Sequence, residues 1–409
     1  MNQYDRDRPW LTAADAARIL RVTRATLYAY VSRGFVRSQA VAGSPRQRRY
    51  SRDDVERLRQ RTEERRDPDK AAARALHCGL PILESSIALI DGRRLYYRGH
   101  DAVALARSRS IEEVASLIWT GRFDGAFASV PLPAGIASER AHCEGLPFVA
   151  RAQSALALAS TRDPLAFDLR PDSVARCGWR ILQLLTGAAT GARLSKTPIE
   201  PALSRAWRVS PRGIDLLRAA LILCADHELN VSSFTARTVA SAGSSPYGVV
   251  IAGLAALEGT RHGGVSARVE SMLATTRSAR ALPNAVAERL RRGEPIDGFG
   301  HPLYRSGDPR AAALLDLLRD RFAKSAELAF VLAFADAAVS ALREQPTIDF
   351  ALAALARVLR LPSGSPLTLF AIGRTIGWIG QAIEQYATGQ LIRPRAKYVG
   401  AVPEGEPAG

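Results

Sequence analysis

The sequence predicts an all-α protein of two unequal parts, a short basic N-terminal segment and a long helical body. Three observations lead there. Apolar residues recur at helical spacing: Ile111, Val114 and Ile118; Ile214, Leu217, Leu221 and Cys224; Ile372, Ile376, Ile379 and Ile383. Alternating strand patterns are nearly absent, apart from a short hairpin expected at Ile87–Tyr97, turning on Asp91-Gly92. Charge is lopsided: residues 1–66 hold 16 arginines against 8 acidic residues, half of the net +16 carried by all 409 residues.

The first element of the basic segment is a helix opened by Thr12-Ala-Ala-Asp15, a capping-box pattern, and ending near Leu20. Arg21-Val22-Thr23 forms a three-residue turn, and Thr23 caps a second helix to about Ser32. Gly34 stands just past its end, where a left-handed C-terminal cap wants a residue without Cβ. Val36–Tyr50 reads as a basic loop with Arg46, Arg48 and Arg49, and Ser51 opens a third helix through Arg65. Two short helices around a three-residue turn form the pattern that offers its second helix to the major groove. With LTAADAARIL, TRATLYAYVSRG and RRYSRDDVERL in that order, the segment resembles the winged helix-turn-helix of excisionases and mercury-resistance-type (MerR) regulators. The resemblance implies Arg24, Thr26, Tyr28 and Arg33 as recognition-helix contacts, and Arg46, Arg48 and Arg49 as phosphate contacts. Double-stranded DNA is therefore the expected partner of residues 1–66, which precede a linker over 67–78.

Composition bounds the rest. Hydrophobic residues make up 47% and charged residues 23%, which excludes disorder of the whole chain and supplies a core. No run reaches the roughly 18 uncharged apolar residues of a membrane helix; the longest, near Leu216–Ala225, is broken by Arg218. MNQYDRDRPW lacks the apolar stretch of a secretory signal, and the four cysteines (Cys78, Cys143, Cys177, Cys224) form no CxxC. A cytoplasmic protein without a disulfide framework, zinc site or other metal is expected.

Within the helical body, three of the six histidines sit among glycines and polar residues, in DHELNVSSFTAR (226–237), RHGG (261–264) and GFGHPLYRSGDPR (298–310). Their spacing suits acid–base work or anion binding better than a zinc site. A fourth place is Asp349, in TIDFAL. The segment GLPILESSIALIDGRRLYYRGHDAVALARSRSIEEVASLIWTG, these motifs, and FAIGRTIGWIGQAIEQ ending in LIRPRAKYVG follow one another in the order of the citrate synthases. Residues from about 79 to 400 resemble that family.

The resemblance implies condensation of an acyl-CoA, with acetyl-CoA the first choice, and oxaloacetate, releasing citrate and CoA as in the tricarboxylic acid cycle. The acyl group becomes an alkyl group on transfer. Coenzyme A enters as part of the substrate and no further cofactor is implied. Asp349 would be the base, His262 the donor to the thioester oxygen, oriented by Ser232, and His301 the donor to the oxaloacetate carbonyl. Arg310, Arg374 and Arg393 would bind the oxaloacetate carboxylates with His227 and Asn230, Arg393 reaching into the neighbouring subunit of a homodimer. Arg305 would contact a coenzyme A phosphate, and the Gly298-Phe299-Gly300 backbone would lie against the adenine. The family architecture implies a large domain over 79–264 and 361–400, a small domain over 265–360, hinges at Gly263-Gly264 and Leu361–Gly364, and a disordered tail at 401–409.

Two departures stand out. Val265-Ser266 replaces the family's usual Ala-Asn, and Gln381 stands where bacterial relatives often carry histidine. Both are expected near the coenzyme A region or in the layer behind the bond-making residues, rather than among them. Two other functions fit the same motifs: a transcription regulator using the synthase fold as an oxaloacetate or acyl-CoA sensor, and a 2-methylcitrate synthase using propionyl-CoA. Asp349 favours catalysis over sensing, because a sensor needs the arginines but no carbon-acid base.

Overall fold

The computed structural model describes residues 10–41, 44–56, 58–59, 83–124, 145–191, 198–276, 282–304, 306–396 and 398–401, in two compact units, 1–84 and 85–409. The first unit contains β1 (Trp10–Leu11), α1 (Ala13–Leu20), α2 (Arg24–Ser32), β2 (Ser38–Val41) and β3 (Ser44–Ser51), followed by helical residues 52–56. Both expected caps form. The Thr12 hydroxyl oxygen accepts from Asp15 N–H at 3.2 Å, and that of Thr23 accepts from Thr26 N–H at 3.2 Å. Gly34 takes φ +74°, the left-handed conformation its position requires.

The basic loop expected to form the wing is a ribbon. β3 runs antiparallel to both β1 and β2, with Tyr50 opposite Leu11 and Ser38. Tyr50 turns inward and joins Leu11, Leu20, Leu27, Val36 and Val55 in a small core. Along β3 this one large apolar side chain carries the register, so the arginines masked the strand. Residues 58–59 are helical as well; the remainder of the expected third helix, to Arg65, and the linker over 67–78 lie outside the described residues.

The second unit opens with the expected hairpin, extended by a third strand: β4 (Ala88–Ile90), β5 (Leu95–Tyr97) and β6 (His100–Asp101). Asp91 makes the turn by accepting from the N–H groups of Arg93 and Arg94 at 3.0 and 2.7 Å. Fourteen further helices are named here: α3 (Ala102–Ser108), α4 (Ile111–Thr120), α5 (Phe148–Ser160), α6 (Pro171–Thr190), α7 (Ile199–Ala206), α8 (Pro211–Leu223) and α9 (Val231–Ser241). They continue with α10 (Pro246–Leu257), α11 (Gly264–Thr275), α12 (Leu282–Arg291), α13 (Pro309–Phe322), α14 (Ala326–Leu342), α15 (Ile348–Leu359) and α16 (Ser365–Thr388). Among the described residues, no helix is long and apolar enough to cross a membrane.

α16 is the axis of this unit. Its residues are buried almost all round from Ser365 to Ile383, as befits a central rather than a surface helix. It packs against α4, α6, α8, α9, α10, α11 and α15. Two glycines permit the closest approach: a Cβ on Gly373 would fall on the Leu221 carbonyl oxygen, and one on Gly377 on that of Ala225. The Trp119 indole N–H donates to the Ile376 carbonyl at 2.8 Å, fastening α4 to the same helix. The buried Tyr97 hydroxyl donates toward the carbonyls of Ile222 and Asp226 at 3.0 and 3.3 Å, so the hairpin steadies the segment between α8 and α9.

Candidate active site and basic groove

The segment between α8 and α9 carries His227 and ends at Asn230, which caps α9. The Asn230 amide oxygen accepts from Ser233 N–H at 3.1 Å, and its nitrogen donates to the His227 carbonyl at 3.3 Å. In the first turn of the helix, Ser232 Oγ lies 2.8 Å from Nε2 of His262 and accepts the Trp378 indole N–H at 3.2 Å. The chain between α12 and α13 brings in His301, whose ring lies 5.1 Å from that of His227 and 4.9 Å from that of Tyr304. The Tyr304 hydroxyl lies 3.0 Å from His227 Nε2. Three histidines from distant stretches of sequence thus converge.

Two arginines flank them. Arg310, in the first turn of α13, is buried and held by both oxygens of Asp308 at 2.9 and 2.8 Å. Asp308 Oδ2 also accepts the backbone N–H of Ile348 at 3.0 Å, linking Arg310 to the start of α15 and to Asp349. Burial disfavours the Arg310 charge, but Asp308 outweighs it and raises the pKa. Arg374, on α16, is 1% exposed and donates through Nε to the Cys224 carbonyl at 2.8 Å. Both its terminal nitrogens are buried without a hydrogen-bond partner. Leaving two charged donors so unpaired costs several kcal/mol, on the order of 1–3 each or more, unless an anion completes the site. Burial lowers its pKa, with the Asp226 charge opposing.

The same burial sets the acid–base groups. It pushes the His262 pKa down to about 4, with the Arg374 charge adding to it, and that of His301 to about 4 with help from Arg310. His227 is held well below the ordinary histidine value by burial and then by Arg310 and Arg374. All three imidazoles are neutral at pH 7. Asp349, in the first turn of α15, moves the other way: burial raises its pKa to about 6, against a hydrogen bond from Ser266 and the charge of Arg310. The Ser266 hydroxyl donates to Asp349 Oδ1 at 2.5 Å. A half-buried carboxylate with a pKa near the working range is suited to taking a proton from carbon.

Gly298, Phe299 and Gly300 form a backbone ladder with residues 345–347: Gly300 N–H donates to the Gln345 carbonyl at 2.9 Å and Thr347 N–H to that of Gly298 at 2.8 Å. The Phe299 ring packs on Phe350 and Phe334, so this segment braces the start of α15. Arg393 lies outside the cluster, exposed in the extended stretch after α16. Arg305 lies outside the described residues. Residues that the sequence reading did not single out complete the site: Tyr304, Asp308, Asp226 and Trp378. Tyr304 and Asp308 stood inside the quoted 298–310 motif, but nothing in the string says which of its polar residues point inward.

The two departures lie in the layer behind the site residues. Ser266 touches Asp349 itself. Gln381 donates to Asp226 Oδ2 at 3.4 Å and accepts from Arg237 at 3.1 Å, directly behind Arg374 on the same helix. Asp226 is wholly buried, and burial raises its pKa to about 6 against the pull of Arg374.

In the first unit, Arg24 and Tyr28 on α2 and Arg48 and Arg49 on β3 line a groove of about 690 Å3 together with Thr12 and Ser32. Thr26 is not among its walls, its hydroxyl lying 2.9 Å from that of Thr23. Arg33 ends α2 and is exposed away from this lining. The Arg46 side chain lies outside the described residues.

A family model for the C-terminal domain of citrate synthase matches residues 75–395. The chain belongs to the citrate synthase family. A model of a helix-turn-helix domain matches residues 10–62. Citrate synthase 2 of Bacillus subtilis is 30% identical over 351 residues, spanning 79% of this chain and 94% of that protein. The citrate synthase of Haloferax volcanii is 29% identical over 359 residues, again 79% of this chain and 94% of the relative. The crystal structure of citrate synthase from Thermotoga maritima superposes with a TM-score of 0.70 at 28% identity, covering 80% of this chain and 96% of that one. The Thermoplasma acidophilum citrate synthase, solved as a ternary complex with carboxymethyl coenzyme A and oxaloacetate, shares the fold at a TM-score of 0.70 and 23% identity, over 82% of this chain and 97% of that one. Family and fold make the protein an enzyme of the citrate synthase type, joining an acyl-CoA to oxaloacetate.

Proposed function

We propose that the protein condenses acetyl-CoA with oxaloacetate to give citrate and free CoA. Arg374 is the observation that carries this reading. Its two unpartnered nitrogens, buried beside three neutral histidines, ask for a planar anion, which an oxaloacetate carboxylate supplies bidentately. Arg310, His227 and Asn230 bind and shape the rest of the keto diacid, and Arg393 of a second copy completes the pocket of a homodimer.

Asp349 takes a proton from the acetyl methyl while His262 donates to the thioester oxygen. Ser232 Oγ, 2.8 Å from Nε2, orients the ring, and Nδ1 is the nitrogen that donates to the developing enolate. The nucleophilic carbon attacks the oxaloacetate carbonyl, and His301 gives a proton to the new alkoxide. Water then cleaves the thioester, and CoA leaves as the thiol. Helices α11 to α15 act as a smaller lobe that closes over the bound keto acid, and Arg305 with the 298–300 backbone holds the CoA end. The two buried free thiols, Cys177 and Cys224, suit a reducing cytoplasm.

The groove formed by Arg24, Tyr28, Arg48 and Arg49 supports double-stranded DNA as the partner of the N-terminal unit. A two-fold dimer would present two such units to a palindromic site.

The test is thiol release by the full chain with oxaloacetate and either acetyl-CoA or propionyl-CoA, with Asp349→Ala as control. Release with acetyl-CoA that vanishes in Asp349→Ala is the expected result. Faster release with propionyl-CoA makes the enzyme a 2-methylcitrate synthase. Oxaloacetate binding without release makes it a sensor.

A further inference from the structure

Ser266 departs from the family pattern at the one place where a departure touches the proposed base. It lies on α11, two residues beyond the Gly263-Gly264 pair, and is 0% exposed. Its hydroxyl points across to α15 and donates to Asp349 Oδ1 at 2.5 Å, the length of a charge-assisted O–H···O bond. That is the hydroxyl's one hydrogen bond among the described residues, so its proton is committed to the carboxylate. We infer that Ser266 is a positioning residue for Asp349. It fixes one carboxylate oxygen, keeps the group ionised in a half-buried site, and leaves the other oxygen free for the substrate's C–H. This rests on the proposed reading of Asp349 as the base.

The balance around Asp349 makes the serine decisive. Burial works against the carboxylate, and the Ser266 bond is the strongest influence opposing it, ahead of the Arg310 charge. The other charges facing it are Asp308, which disfavours ionisation, and Arg268 on α11, which favours it. Arg310 and Arg268 are themselves engaged, Arg310 with Asp308 and Arg268 with Asp297 at 2.8 Å through Nε. Neither can turn to replace the hydroxyl. A serine also reaches the carboxylate on a one-carbon stem, which leaves little freedom for the acid to swing between rotamers. The residue therefore acts on both the protonation state and the direction of the base.

The experiment uses the full-length protein and reads two quantities across pH 5–9. One is the titration midpoint of the Asp349 carboxyl, from the carboxylate infrared band as the difference between the protein and its Asp349→Asn variant. The other is kcat/KM for acetyl-CoA. Ser266→Ala is expected to raise the midpoint by about one pH unit and to move the acid limb of the rate profile with it, lowering kcat/KM about tenfold near pH 5 and about twofold near pH 7 through protonation. Ser266→Thr, which keeps the hydroxyl, returns both toward the parent, and Ser266→Cys, a weaker donor of similar size, falls between. KM for oxaloacetate stays within twofold, because Ser266 touches none of the arginines. An unmoved midpoint in Ser266→Ala overturns the inference. So does a loss that is uniform in pH and shared by KM for oxaloacetate, which would make the residue merely structural. If Asp349→Asn itself retains parental turnover, the reading of Asp349 as base has failed. If Asp349→Asn is inactive and Ser266→Ala leaves the midpoint unmoved, only the role of Ser266 has failed.

Discussion

Asp349→Asn should make the protein more stable at neutral pH while removing its turnover. In the folded chain burial holds the Asp349 pKa at about 6, against 3.8 for an ordinary aspartate. An acid whose folded pKa is raised binds its proton more tightly folded than unfolded. Stability from this group is therefore full below about pH 4 and is lost as pH climbs to 6. The difference of roughly two units corresponds to about 3 kcal/mol withheld at pH 7.5, since each unit is worth about 1.4 kcal/mol. Asparagine has no charge to desolvate, and its amide oxygen can still accept the Ser266 hydroxyl. At about 2.1 cal/mol/K of unfolding entropy per residue, 3 kcal/mol raises Tm of a unit this size by about 4 °C. Paired thermal melts at pH 7.5 and pH 5 check it, with the gain expected to fall to about half at pH 5. A gain equal at both pH values, or a loss at pH 7.5, would refute the argument that burial of the ionised carboxylate sets its energy.

Three further outcomes follow from other parts of the molecule. Arg374→Lys keeps a charge but loses the planar fork, so KM for oxaloacetate should rise about 10–100-fold in steady-state assays, the worth of one or two charge-assisted hydrogen bonds. Replacing Arg48 and Arg49 together by alanine should reduce the slope of log affinity against log salt for duplex DNA by about 2, if each neutralises one phosphate; an unchanged slope would remove both from the contact set. Gly377→Ala places a methyl on the Ala225 carbonyl and the Asp226 carboxylate. The overpacking should cost about 1–3 kcal/mol in denaturant melts and weaken oxaloacetate binding through the displaced 224–227 segment.

The fold was readable where local chemistry announces itself. Thr12 and Thr23 cap the helices they precede, Asp91-Gly92 turns the hairpin, and the isoleucine rows of α4 and α16 face inward. The wing at residues 38–51 was readable only through the resemblance and not in its register, which depends on Tyr50 meeting Leu11, a tertiary contact hidden under a run of arginines. The site shows the same division. His227, His262, His301 and Asp349 stood out by residue type and setting, and the motifs grouped them. Ser266 stood out only as a departure from the family pattern, and its bond to Asp349 could not be read until α15 is laid across α11. Asp226 was hidden for a related reason: an acid next to His227 reads as solvated, and only the buried approach of Gly377 shows it enclosed.

The central position of α16 also sets an order of events during synthesis. Ribosomes deliver the N-terminal unit first, and its core of Leu11, Leu27 and Tyr50 is complete within the first sixty residues. The second unit has no such early finish. The helix against which α4, α6, α8, α9, α10, α11 and α15 pack is the last to be translated of those among the described residues. Until Thr388 has cleared the exit tunnel, more than a hundred residues of helix would wait with their inward faces uncovered, a span in which chaperones have the most to hold. A nascent chain arrested before Ser365 would thus carry a finished N-terminal unit on an unfinished enzyme.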